Sequence, residues 1–211
     1  MRLMFFVVGT GPGDPEYLTV KALKTLERCR VVAGWPSVLK RLPLDGKEVV
    51  PLSYRDQEEA LRRLAALSEE VDVCLAVHGD PAVSDWELMR RVGALGVPYE
   101  VVSGVSSINV ALARLGLDLT QVVVVSQHAQ EPQPLPFECS RHLLIIPPPR
   151  GVKRLVEELK ARGCEVWVLE DLTLPTERVA PAGDEEPAAS LVMLLVKCGD
   201  RHGARASAQS A

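Results

Sequence analysis

Leu3-Met4-Phe5-Phe6-Val7-Val8-Gly9-Thr10-Gly11-Pro12-Gly13-Asp14-Pro15 is the stretch whose reading decides the fold. Its first six residues form an unbroken apolar run, the pattern of a strand covered on both faces. The next seven hold three glycines and two prolines. Helical spacing follows, with Leu18, Ala22, Leu23 and Leu26 on one face and Lys21, Lys24 and Glu27 on the other. A buried strand therefore runs through a tight turn into a helix. Glycines at such a corner permit positive φ and let a ligand approach the backbone. In open α/β sheets, ligands bind at the carboxyl ends of strands. A purely structural turn carries the same signature, so this stretch alone leaves both readings open.

The common phosphate-binding patterns do not fit it. A dinucleotide fingerprint counted from Gly9 needs a glycine where Asp14 stands, and Pro12 removes a backbone donor. A P-loop needs Gly-Lys-Ser/Thr, whereas Gly13 is followed by Asp14-Pro15.

Composition narrows the class further. With 211 residues, 47% of them hydrophobic and 25% charged, the chain can bury the core of one large domain or two small ones. A formal net charge of -4, no long basic run and 4% aromatics argue against a nucleic-acid partner. The five cysteines (Cys29, Cys74, Cys139, Cys164, Cys198) are scattered without a C-x-x-C or metal-ligand spacing. An odd, unpaired set predicts a reducing compartment, and no bound metal is expected. No apolar run approaches the roughly 18 residues of a membrane span, and Met1-Arg2 leads directly into the first strand. These features predict a soluble, cytoplasmic protein with no signal peptide and no membrane partner.

Further along, short apolar runs alternate with helical patterns. Strands are predicted near residues 30–34, 48–52, 71–78 and 99–102, and helices over 38–42, 58–67, 86–95 and 108–115. Two more corners have the design of the first. Val77-His78 leads into Gly79-Asp80-Pro81, and Val101-Val102 leads into Ser103-Gly104-Val105-Ser106-Ser107 ahead of a helix. In the second half, strands are predicted at 122–125, 143–146, 166–169 and 191–196, with a helix over 152–160. Residues 181–187 read as an acidic turn, and the chain from Gly199 as a frayed tail. The alternation predicts an α/β fold, with domains over residues 1–103 and 104–198 and a tail over 199–211.

Taken together, the three corners resemble the tetrapyrrole (corrin and porphyrin) methyltransferases. The residues that carry the resemblance are Gly9-x-Gly11-Pro12-Gly13-Asp14-Pro15 with Leu18-Thr19, then Gly79-Asp80-Pro81, then Gly104-Val105-Ser106-Ser107. Each motif is commonplace alone; their order, spacing and setting at strand ends make the set specific. It covers roughly residues 3–197. Within the family, Val31-Val32-Ala33-Gly34 with Val38-Leu39, the block from Ser106 to Leu117, and Val124-Val125-Ser126-Gln127-His128 resemble the branch that methylates C5 of a corrin-ring precursor, cobalt-precorrin-7 or its metal-free counterpart. The chain departs from the branch at Ala129-Gln130, where glycine and arginine are typical. It departs again at Ser103, where proline is usual, and at Ser84-Asp85, where a glycine often follows.

The resemblance implies two α/β domains with a cleft between them, S-adenosylmethionine as methyl donor, a corrinoid substrate and a homodimer. Carried over residue by residue, it assigns Gly11, Pro12, Gly79, Asp80, Val83, Ser106 and Ser107 to the donor, with Met193 and Leu194 at its adenine end. His128 is the candidate for a catalytic or polar contact with the macrocycle, a surface histidine being the alternative. His78 either points inward or faces the site. A turn cap is the alternative role of Asp80; Ser106 and Ser107 can cap the helix and still contact the donor, and Met193 and Leu194 serve equally as core. Arg114, Arg141, Arg150 and Lys153 are available for substrate carboxylates. Some members carry a fused second methyltransferase that methylates C15 and decarboxylates a side chain. This sequence is expected to be too short for it, and that activity, if present in the organism, is expected on a separate partner. Two other readings remain: a diphthine synthase on the same scaffold, and a silent member that binds corrinoids without reacting them.

Overall fold

The opening apolar run becomes β1 (Phe5–Gly9), and all five of its residues are buried. It lies in a computed structural model that describes residues 3–53, 55–83, 85–127, 134–136, 141–189 and 191–197. β1 pairs in parallel with β4 (Val73–Val77) on one side and β5 (Tyr99–Val102) on the other. Beyond β4 lie β2 (Val31–Gly34) and β3 (Glu48–Pro51), giving a five-stranded parallel sheet of order β3-β2-β4-β1-β5.

Successive side chains on these strands go to opposite faces, and both faces are covered. Phe5, Val7 and Leu75 pack with Leu61 and Leu64 of α3 (Gln57–Leu67) and with Leu88 and Val92 of α4 (Trp86–Gly93). Phe6, Val8 and Ala76 pack with Ala22 and Leu26 of α1 (Val20–Arg28) and with Val38 and Leu39 of α2 (Pro36–Leu39). Double coverage is why no polar alternation is visible in the strands.

The first helix differs in detail from the expected one. Asp14 caps a 3-10 turn at Pro15–Tyr17, and α1 starts only after Thr19, whose Oγ1 accepts the Ala22 N–H at 3.0 Å. The inward stripe is therefore Ala22, Thr25 and Leu26, and Leu23, expected on the apolar face, is 36% exposed.

The cysteine expectation is also corrected. Cys29, at the end of α1, and Cys74, on β4, form a disulfide with a Cα separation of 5.8 Å. They lie 45 residues apart, so only the docking of α1 on the sheet brings them together. Cys164 is free, and Cys139 and Cys198 fall outside the described residues.

The second unit holds β6 (Val122–Ser126), β7 (His142–Ile146), α6 (Val152–Ala161), β8 (Glu165–Glu170), β9 (Arg178–Pro181) and β10 (Val192–Lys197). Its sheet has order β6-β7-β10-β8-β9, in which β6–β7 is parallel and the other pairs are antiparallel. β9 is not among the strands that the sequence predicts: it has four residues, lies at an edge and ends in Pro181, which an edge tolerates.

The chain divides into two compact units, Met1–Val110 and Ala111–Ala211, with the division inside α5 (Ser107–Leu115). Gly104 is bonded into the first sheet's loops, its N–H reaching Asp80. Among the described residues, no helix is long and apolar enough to cross a membrane.

Candidate active site

Because β1, β4 and β5 are neighbours and parallel, their carboxyl ends emerge side by side. The loops that follow are joined by hydrogen bonds. Thr10 donates both its N–H and its hydroxyl to Val77 O, at 2.9 and 2.8 Å. Gly11 N–H donates to Gly79 O at 3.2 Å, and Gly79 N–H returns a bond to Gly11 O at 2.7 Å. Asp80 ties in the third loop: Oδ1 accepts the Ala82 N–H at 2.7 Å, and Oδ2 accepts the Gly104 N–H at 3.1 Å. One carboxylate thus closes its own turn and holds the loop after β5 against it.

Glycine is required at this junction for a concrete reason. A Cβ on Gly104 would lie 2.2 Å from Gly79 O and 2.7 Å from Gly9 C, and one on Gly9 would lie 2.6 Å from Gly104 N. These neighbours are backbone and have no rotamer to escape into. Gly79 is different. It has a φ of +67°, and a Cβ there would stand 4.0 Å from Ser106 Cα and Ser107 N. The space in front of its Cα is open and faces the start of α5. Ser106 Oγ accepts the Ile108 N–H at 3.1 Å, so this serine caps the helix while its own O–H remains a donor. An open glycine face opposite backbone N–H and hydroxyl donors suits a small polar ligand that offers acceptor oxygens.

Two titratable groups at these strand ends are perturbed. His78 sits 2.8 Å from Pro12 O through Nε2; a carbonyl only accepts, so the ring donates Nε2–H. Burial chiefly, and secondarily the positive charge of Arg41, hold its pKa below the ordinary histidine value, against the Pro12 bond that raises it. Asp85 precedes α4, and its pKa is pushed up to about 6, first by burial and then by the negative charge of Asp80.

The expected donor residues Gly11, Pro12, Gly79, Asp80, Val83, Ser106 and Ser107 all lie on these three loops, with Val83 N–H closing the turn onto Asp80 O at 2.9 Å. Met193 and Leu194 lie on β10 of the second unit, and Leu194 packs in the core beneath α6 with Val156 and Leu159. His128 falls outside the described residues. Of the cations offered for substrate carboxylates, Arg114 pairs with Glu177 at 2.6 Å and Lys153 lies 3.8 Å from Glu157. The sequence reading missed Thr10, Asp85 and Arg41. Thr10 could have been found as the first polar residue after a buried run. Arg41, on a short solvent-facing turn, gave no signal.

A parallel sheet whose adjacent strand ends carry three interlocked glycine loops defines a small-molecule site of the α/β kind. A family model of tetrapyrrole (corrin/porphyrin) methylases matches residues 4–186, and the chain belongs to that family. It is 27% identical, over 205 residues, to a probable cobalt-precorrin-7 C(5)-methyltransferase of Methanocaldococcus jannaschii, covering 92% of this chain and 96% of that protein. Among solved structures it is similar to the cobalamin-biosynthesis precorrin-6Y methylase of Archaeoglobus fulgidus, with TM-score 0.74, 27% identity, and coverage of 92% and 97% of the two chains. A uroporphyrin-III C-methyltransferase of Thermus thermophilus complexed with S-adenosylhomocysteine is 28% identical, with TM-score 0.71 and 91% of each chain covered.

Proposed function

We propose that this protein transfers a methyl group from S-adenosylmethionine to C5 of a corrin-ring precursor, cobalt-precorrin-7 or its metal-free equivalent, in cobalamin biosynthesis. The observation that carries the reading is an end-to-end likeness to a probable C5-methyltransferase, covering 92% of this chain and 96% of that protein. The order of its three loop motifs supports it as well.

When bound, S-adenosylmethionine supplies a methyl group already activated by its sulfonium. The protein therefore has to align two reactants and keep water out, and a strong general base is not demanded of it. In this reading Gly79 gives the donor access to the backbone, Ser106 and Ser107 offer hydrogen bonds, and Asp80 keeps the loops at their spacing. Gly11, Pro12 and Val83 wall the same site, and Met193 and Leu194 border the adenine. His128 contacts the macrocycle. The enzyme acts as a cytoplasmic homodimer; the homodimer and the residue roles rest on the family resemblance.

Calorimetry with S-adenosylhomocysteine and transfer of labelled methyl to isolated cobalt-precorrin-7 test the proposal. Stoichiometric binding and one label per macrocycle are expected. Absence of both at millimolar donor overturns it.

A further inference from the structure

We propose that the pocket between the turn at residues 9–15 and the end of α2 is a carboxylate-binding subsite anchored by the Arg41 guanidinium. Thr10, Gly11 and Gly13 line it from the turn, His78 from the end of β4, and Arg41 and Leu42 from the segment after α2. It is shallow, with an enclosed volume of about 10 Å³, roughly the room one water needs. One carboxylate oxygen can seat at its mouth against Arg41; a tetrapyrrole ring cannot enter.

The charge balance inside the pocket is one-sided. Arg41 donates one N–H to Ser37 O at 3.1 Å, which steadies the side chain while leaving most of its five donors for other partners. Arg28, Arg62, Arg114, Arg154 and Arg178 are paired with carboxylates. Among the described residues Arg41 has no such partner. His78 faces it in the neutral form, with Nε2–H on Pro12 O. The pocket therefore carries one uncompensated positive charge on a fork that matches a carboxylate.

Phosphate is the weaker candidate. A phosphate cradle needs several converging backbone N–H groups. Here the Gly11 and Gly79 N–H groups are spent on each other's loops, the Thr10 N–H and hydroxyl on Val77 O, and Pro12 has none.

The source of the carboxylate follows from the function proposed above, on which this inference rests. The corrin precursor carries several acidic arms, and the donor carries one amino-acid carboxylate. Arg41→Gln is compared with the parent and with Arg90→Gln, whose guanidinium stacks 5.5 Å over Trp86 on α4. Two probes are titrated: uroporphyrin, an octacarboxylate, by fluorescence, and S-adenosylhomocysteine by calorimetry. Loss of a hydrogen bond to a charged group predicts roughly 10- to 100-fold weaker binding of one probe. Loss confined to uroporphyrin assigns the subsite to the substrate; loss confined to S-adenosylhomocysteine assigns it to the donor. Arg41→Lys, which keeps the charge without the fork, recovers part of the affinity in either case. Binding of both probes unchanged in a folded Arg41→Gln protein overturns the subsite, as does a parent that binds neither. A parent that binds both probes but leaves cobalt-precorrin-7 unmethylated overturns the C5 assignment and not the subsite.

Discussion

At Gly104 a single methyl group decides whether three loops can meet. The added Cβ of Gly104→Ala would sit 2.2 Å from Gly79 O, so the loops must separate. The expected cost is about 1–3 kcal/mol, the usual range for overpacking, accompanied by loss of donor affinity. Gly183→Ala has nothing within 4 Å and serves as the control; urea unfolding of the two variants should separate them. Asp80 acts at the same junction. Asp80→Ala deprives the Ala82 and Gly104 N–H groups of their acceptor, at about 1–3 kcal/mol for each that is left buried and unpaired. Calorimetry should show weakened S-adenosylhomocysteine binding, whereas unchanged affinity would make Asp80 a turn residue only. The motifs announced both positions because three such corners, each commonplace alone, occur together in order at strand ends. Arg41 was invisible because its surroundings come from the 9–15 turn and from His78, which only the fold brings together.

Among the elements, α4 and α1 offer two tests. Asp85, just before α4, has a folded pKa of about 6, above the ordinary aspartate value. Between those two values the folded chain holds a proton that the unfolded chain releases, so stability falls as pH rises through the window and the penalty is complete above about 6. Asp85→Asn removes this dependence. It should raise stability relative to the parent by on the order of 1–3 kcal/mol at pH 7 and by little at pH 4, as read by thermal melts at both. An equal difference at the two pH values would contradict the assignment. The second test concerns the link between α1 and β4. A disulfide closing 45 residues constrains the unfolded chain by about 4 kcal/mol on the entropic estimate, so Cys29→Ser with Cys74→Ser should lower the melting temperature markedly. Melts with and without reductant check the same point on the parent.

These elements also show what sequence patterning conveys. The runs Phe5-Phe6-Val7-Val8 and Val73-Cys74-Leu75-Ala76-Val77 were readable because both faces of the sheet are covered, and continuous apolarity has few other causes. Arg178-Val179-Ala180-Pro181 was not readable, being a half-exposed edge strand held by its pairing with β8. The disulfide was hidden for the same physical reason: its partners meet only through tertiary docking.

For the molecule as a whole, membership of the tetrapyrrole methylases defines the scaffold, and the particular reaction depends on which ring carbon is presented to the donor. In the proposed reading the three loops of the first unit bind the donor, and they do not by themselves select a carbon. The most direct measurement is therefore regiochemical. The protein is incubated with cobalt-precorrin-7 and S-adenosylmethionine carrying a ¹³C-labelled methyl group, and the product is analysed by mass spectrometry and ¹³C NMR. The account predicts one added methyl, attached to C5. A product labelled at another ring carbon, or a macrocycle recovered unlabelled while the protein binds the donor, would contradict it.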